Sequence, residues 1–201
     1  MNFVKHFTLK LSSYISSPST GQFIPPKNFR NEKWHLDFIV HLASILKPKK
    51  YLEVGIHHCG LFNKMIPFAD NLFGVDINPA SAYFMSKSKK VKFFNSTSVS
   101  FFEDAIERNE KFDFIFIDAD HSKDAVKLDF AMSMKCLSDQ GILVLHDTFP
   151  TNEAATSRER CDDGYLAIEE LGKVVSDYEL VTIPIHPGVT ICRKRRSQVN
   201  W

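Results

Sequence analysis

Four short stretches carry the residue types that could do chemistry: Glu53-Val54-Gly55-Ile56-His57-His58-Cys59-Gly60, Gly74-Val75-Asp76, Ile117-Asp118-Ala119-Asp120-His121 and Leu145-His146-Asp147-Thr148. In the first, an acid precedes a glycine turn, and glycine allows positive φ and a close approach of backbone to a ligand. Asp76 follows about 20 residues later, the distance at which an acid can accept hydrogen bonds from both hydroxyls of a ribose. The last two stretches deliver carboxylates at successive strand ends. Carboxylates gathered in this way repel unless a cation or a shared proton compensates them. A hard divalent ion with oxygen ligands is one solution, and Asp120 or His121 acting as a general base is another. Each acid taken alone has a plainer reading as a helix cap or turn residue.

These residues need a frame to bring them together. Short apolar runs at Tyr51–Val54, Leu72–Asp76, Val91–Asn95, Phe112–Ile117 and Ile142–Leu145 are expected to be parallel strands buried on both faces. Two further strands, Tyr178–Ile185 and Val189–Arg193, are separated by the turn-forming Pro187-Gly188, so one of them must run antiparallel. Strand and helix alternation predicts an α/β fold, doubly wound and Rossmann-like, with a mostly parallel seven-stranded sheet closed by a C-terminal antiparallel hairpin. In such a sheet ligands bind beyond the carboxyl ends of the strands, where the four stretches fall. Before the first strand, Trp34, Leu36, Ile39, Val40, Leu42, Ala43 and Leu46 recur at helical spacing until Pro48.

Size and composition narrow the classes. The chain has 201 residues, 44% hydrophobic and 24% charged, with a formal net charge of +1, which gives no general electrostatic case for nucleic acid or membrane as partner. Cys59, Cys136, Cys161 and Cys192 form no Cys-x-x-Cys pair, the pattern of reduced thiols in a cytoplasmic protein. No apolar run approaches the roughly 18 residues that span a bilayer. Met1 to Asn31 holds no acidic residue, yet Arg30 is its sole arginine, so it is read as part of the domain rather than a transit peptide. Within it, Ser16 to Asn31 should be an irregular loop. The basic cluster Arg193 to Arg196 is read as a solvated tail.

The series YLEVG, FGVDI, STSVSFF, FDFIFIDADHSKDAVKLDF and GILVLHDTFP resembles class I S-adenosylmethionine-dependent methyltransferases. The nearest likeness is to the bacterial group related to macrocin O-methyltransferase, with catechol and caffeoyl-CoA O-methyltransferases more distant. The resemblance implies cofactor contacts from Glu53, Gly55, Gly60, Asp76, Thr97, Ser98 and Asp118. It implies metal ligation by Asp118 and Asp147, with Thr148 where the catechol-type enzymes carry asparagine, and a catalytic base drawn from Asp120 and His121. Those relatives often have glycine where Cys59 stands. The cofactors implied are S-adenosylmethionine and Mg2+ or another divalent cation.

The function expected is O-methylation of a hydroxyl on a small molecule or sugar-containing metabolite. Residues 1–47 would be a helical and loop extension packed on a methyltransferase domain at 48–201, and the part before Glu32 would cover the acceptor or a subunit interface, as in a homodimer. Thr151 to Gly164 follows the acid-rich edge directly and suits either a substrate lid or a plain surface connection. Two rivals remain at this level. One is a nucleotide-dependent oxidoreductase, disfavoured by the missing G-x-G-x-x-G. The other is a non-catalytic cofactor-binding protein, disfavoured by the clustered acids.

Overall fold

Apolar runs buried on both faces do become parallel strands in the computed structural model, which describes residues 33–174 and 177–195. The elements in chain order are α1 (Trp34–Leu46), β1 (Lys50–Val54), α2 (Phe62–Met65), β2 (Asn71–Asp76), a 3-10 turn at Pro79–Phe84 and β3 (Val91–Asn95). There follow α3 (Ser98–Glu107), β4 (Phe112–Ile117), α4 (Lys123–Cys136), β5 (Leu137–His146), a 3-10 turn at Glu153–Thr156, α5 (Gly164–Gly172), β6 (Tyr178–Ile183) and β7 (Val189–Lys194). The sheet has seven strands in the order β3-β2-β1-β4-β5-β7-β6. β1 to β5 pair in parallel, and β7 runs antiparallel between β5 and β6. This is the Rossmann-like arrangement expected, with the reversal of strand order at β1 and β4.

The pleat divides the core into two layers. Along β4, Phe114 and Phe116 face Trp34, Ile39 and Ala43 of α1 and Phe62 and Met65 of α2, while Ile115 and Ile117 face α3 and α4. Strand residues alternate between faces, so one six-residue run feeds both layers. Tyr51 and Phe114 are fully buried with ring centroids 5.4 Å apart, edge to face, a geometry that adds to their area burial. Trp34 ties α1 to the far end of the sheet by donating its indole N–H to the His186 carbonyl at 2.9 Å.

Several elements differ from the sequence reading. β5 begins at Leu137, directly after α4, not at Ile142. The polar Ser138-Asp139-Gln140 hid its first half, although Leu137 pairs with Phe112. The β1–β2 crossover holds only α2, which ends before Pro67, and the β2–β3 crossover holds only a 3-10 turn that Pro79 opens. β6 stops at Ile183 and β7 extends to Lys194.

The start of the basic cluster is likewise no solvated tail. Arg193 pairs with Glu179, and Lys194 reaches the Leu137 carbonyl at 2.7 Å, because both belong to β7. Arg196, Met1 to Asn31 with its loop at Ser16 to Asn31, and the corresponding part of the 1–47 extension lie outside the described residues. No helix among the described residues is long and apolar enough to cross a membrane.

Phe114→Ala should be among the costliest single changes to this fold. Loss of a fully buried phenyl ring from a central strand is worth about 3–5 kcal/mol, which a lowered urea midpoint with unchanged slope would register.

Candidate active site

The parallel strands β1, β2, β4 and β5 end on one edge, and each end carries a residue singled out in the sequence. The closest packing there is at Gly55, just after β1, which has φ +86. A Cβ on Gly55 would lie 2.0 Å from the Asp118 carbonyl oxygen, so only glycine lets the β1 turn sit against the end of β4. His57 and Cys59 also take positive φ, as does Asp147, and each such non-glycine residue costs of order 1–3 kcal/mol. The turn's left-handed positions are therefore Gly55, His57 and Cys59. Gly60 is not one of them, and nothing lies within 4 Å of where its Cβ would be. Cys59 is fully buried, with its thiol 3.4 Å from the Ser81 carbonyl.

On one side of Gly55 lies Asp76. One of its carboxylate oxygens accepts from the His57 N–H and the other from the Asn78 N–H, both at 2.8 Å. These bonds fix the carboxylate's orientation and leave each oxygen a lone pair for a further donor. Asn95 braces the same strand end by donating to the Asp76 and Ile77 carbonyls. Thr97, next along the edge, caps α3 by accepting from the Ser100 N–H at 3.1 Å, and Ser98 opens that helix. Glu53 is buried beneath the turn and accepts from the Tyr51 hydroxyl, and burial lifts its carboxyl to about 8.

On the other side of Gly55, Asp118, His121 and Asp147 each offer a ligand atom within 4.8 Å of the others. His121 Nε2 is 3.3 Å from Asp118 and its Nδ1 is 3.2 Å from Asp147. Nδ1 also lies 2.5 Å from the Arg160 carbonyl, which can only accept, so Nδ1 carries the proton. His146 joins the same group, with Nδ1 2.9 Å from Asp118 and 3.5 Å from Asp147.

Two imidazoles thus sit among two carboxylates. Burial opposes charge on all four groups, but their mutual attraction prevails. Burial alone would lower His146, yet the Asp118 carboxylate raises it to about 10. His121 is raised likewise against the pull of burial, and Asp118 and Asp147 are held below the usual carboxylate range by the imidazoles. His35 of α1 packs its ring 4.2 Å from that of His146, and burial followed by the His146 charge lowers it to about 4.

Asp120 stands apart from this group. Its exposed carboxylate accepts from the Ser122 N–H at 2.8 Å, the bond that chiefly lowers its pKa and so weakens it as a base. Thr148 Oγ1 is buried with no hydrogen-bond partner, as is His146 Nε2. The 151–164 segment packs directly on the group: besides the Arg160 carbonyl, the buried Cys161 thiol is 3.6 Å from Asp147, and Asp163 accepts from the Lys123 N–H. Gly188 fits against Phe149, where a Cβ would meet the backbone nitrogen at 2.1 Å, so the β6–β7 turn closes the far side.

Sequence reasoning missed His35, His146 and Cys161. His146 was visible at the last position of an alternating strand. His35 was visible as an imidazole beside the apolar stripe of α1. Cys161 carried no local signal.

The strand-end geometry now has a family to match. Residues 52–148 match the family model described as a methyltransferase domain. Residues 52–148 form that methyltransferase domain.

The domain's fold recurs in solved structures of low sequence identity. One is a caffeoyl-CoA O-methyltransferase assigned in Staphylococcus aureus, with TM-score 0.66, 17% identity, and coverage of 94% of this chain and 91% of that one. A second is an O-methyltransferase from Bacillus cereus in complex with SAH, with TM-score 0.68, 15% identity, and coverage of 94% and 90%. A third is TomG from Streptomyces achromogenes, an O-methyltransferase of tomaymycin synthesis in complex with SAM, with TM-score 0.63, 14% identity, and coverage of 96% and 90%. No curated protein matches the chain in sequence.

The imidazole–carboxylate pairing of the methyltransferase domain should leave a signature in stability against pH. A raised histidine stabilises fully below its unfolded pKa of about 6.5 and loses that contribution as pH climbs through its folded value, here about 10. In protein treated with chelator, unfolding free energy should fall between pH 7 and 10, and more steeply than in His146→Gln. Parallel curves for the two proteins would contradict the pairing.

Proposed function

We propose that this methyltransferase takes its methyl group from S-adenosylmethionine and delivers it to a hydroxyl of a small molecule or sugar-containing metabolite. The observation that carries the reading is the placement of Gly55 between a diol acceptor, Asp76, and the Asp118–His121–Asp147 group. A bound sulfonium cofactor supplies an electrophilic methyl carbon, whose bond electrons return to sulfur on transfer and leave S-adenosylhomocysteine.

The chain's own residues do the rest. Asp76 would hold the ribose diol, Gly55 would let the methionine end lie close over the β1 turn, and Thr97 and Ser98 would border the base. The group beyond Gly55 would orient the acceptor oxygen and receive its proton. The 151–164 segment, already packed on that group, is the natural cover for the acceptor.

The donor set also fits a divalent cation. Two carboxylates and an imidazole lie within reach of one point, and the buried Thr148 Oγ1 lacks a partner. Asp118 and Asp147 would hold the ion, which would supply Lewis acidity to the acceptor hydroxyl. Cytoplasmic location and a homodimer remain part of the proposal.

Calorimetry with S-adenosylmethionine and with NAD tests the reading. S-adenosylmethionine should bind and NAD should not. Asp76→Ala should weaken the former at least about tenfold, since a charge-assisted hydrogen bond is worth about 1.5–3 kcal/mol. Unchanged affinity in the variant would remove the ribose assignment, and binding of NAD alone would remove the function.

A further inference from the structure

The family resemblance implied a cation site of Asp118 and Asp147 with Thr148 beside them, all oxygen donors, for Mg2+ or another divalent cation. The structure puts an imidazole nitrogen into that site. His121 stands on the loop between β4 and α4, with Nε2 3.3 Å from Asp118, Nδ1 3.2 Å from Asp147 and one ring nitrogen within 4.8 Å of a ligand oxygen of each carboxylate. Its other nitrogen lies 2.5 Å from the Arg160 carbonyl. A carbonyl cannot donate, so this bond holds a proton on Nδ1 and turns Nε2 toward Asp118, where a bound cation would take the place of its second proton. A backbone carbonyl that takes the Nδ1–H of a histidine is the usual outer partner of a metal-ligating imidazole, where it sets the tautomer and raises ligand basicity.

The loop is held to this pose from outside. Gly164 at the start of α5 packs where a Cβ would come 2.5 Å from the His121 carbonyl, and Asp163 accepts from the Lys123 N–H. The 151–164 segment therefore does more than cover the site. Through the Arg160 carbonyl it orients a ligand.

We infer that His121 is a ligand through Nε2 alongside Asp118 and Asp147, and that the site takes a first-row transition ion such as manganese or zinc in preference to magnesium. The inference rests on the cation reading proposed above. Magnesium demands near-octahedral oxygen coordination and keeps its waters, whereas imidazole suits the transition ions. One consequence follows for the reaction: a ligating Nε2 has no lone pair left for the acceptor's proton, so His121 acts by holding the ion rather than as a free base.

The experiment is electron spin-echo spectroscopy of Mn2+ added alone to the metal-stripped full chain. The expected result is nitrogen-14 modulation on the bound manganese, which shifts in protein grown with nitrogen-15 histidine and survives a large excess of Mg2+. Outer partners of a ligand are worth about 10–100-fold in affinity, so loss of the ligand itself in His121→Ala should weaken Mn2+ at least about 100-fold and abolish the modulation. His121→Gln serves the same purpose if the alanine variant does not fold, and the wild-type spectrum needs neither.

Mn2+ bound without nitrogen modulation, modulation that persists in both variants, or displacement by equimolar Mg2+ would each overturn the inference and leave the cation reading standing. Absence of Mn2+ binding while S-adenosylmethionine still binds would overturn the cation reading and the inference with it, but not the methyl-donor assignment.

Discussion

Two carboxylates at the ends of adjacent strands cannot share one edge of a sheet without positive charge between them, and the rest of the site is arranged to meet that demand. β4 and β5 pair in parallel with Ile117 opposite Leu145, so Asp118 and Asp147 arrive side by side. His121 and His146 stand among them, and each imidazole is drawn toward its charged form although burial opposes it. Removing either partner would strand a charge in a poorly hydrated place, which costs far more than the pair contributes. This constraint explains why α1 brings a neutral histidine, His35, against His146 and why the 151–164 segment contributes a carbonyl rather than another charge.

The same edge stores backbone strain on both sides of the reversal in strand order. Positive φ at His57, Cys59 and Asp147 is sustained by the packed sheet beneath, whose fully buried Leu52, Phe114 and Ile115 leave the strand ends little freedom. Gly55 joins the two halves. By touching the Asp118 carbonyl it sets the separation between the cleft that would hold the cofactor and the charged group that would hold the acceptor. Rigid positioning of this kind is what transfer of an activated methyl group requires of a protein.

Much of this was legible in the sequence, for physical reasons. Five apolar runs and a Pro-Gly turn are sufficient for the sheet, because strands buried on both faces leave a continuous signature. Acids directly after those runs mark the functional edge. The first half of β5 was hidden because Ser138, Asp139 and Gln140 lie outside the apolar run, and a left-handed turn position falls on Cys59, where no glycine marks it. The imidazole side of the group was least visible. His35 lies 111 positions from His146 in the chain, and only the packing of α1 on β5 joins them.

The most direct test is a crystal structure of the full chain with S-adenosylhomocysteine. The account places the ribose hydroxyls on Asp76, the homocysteine over Gly55, and the sulfur facing the Asp118–His121–Asp147 group with room for a methyl group between. A nucleoside bound elsewhere, or a sulfur turned away from that group, would contradict it.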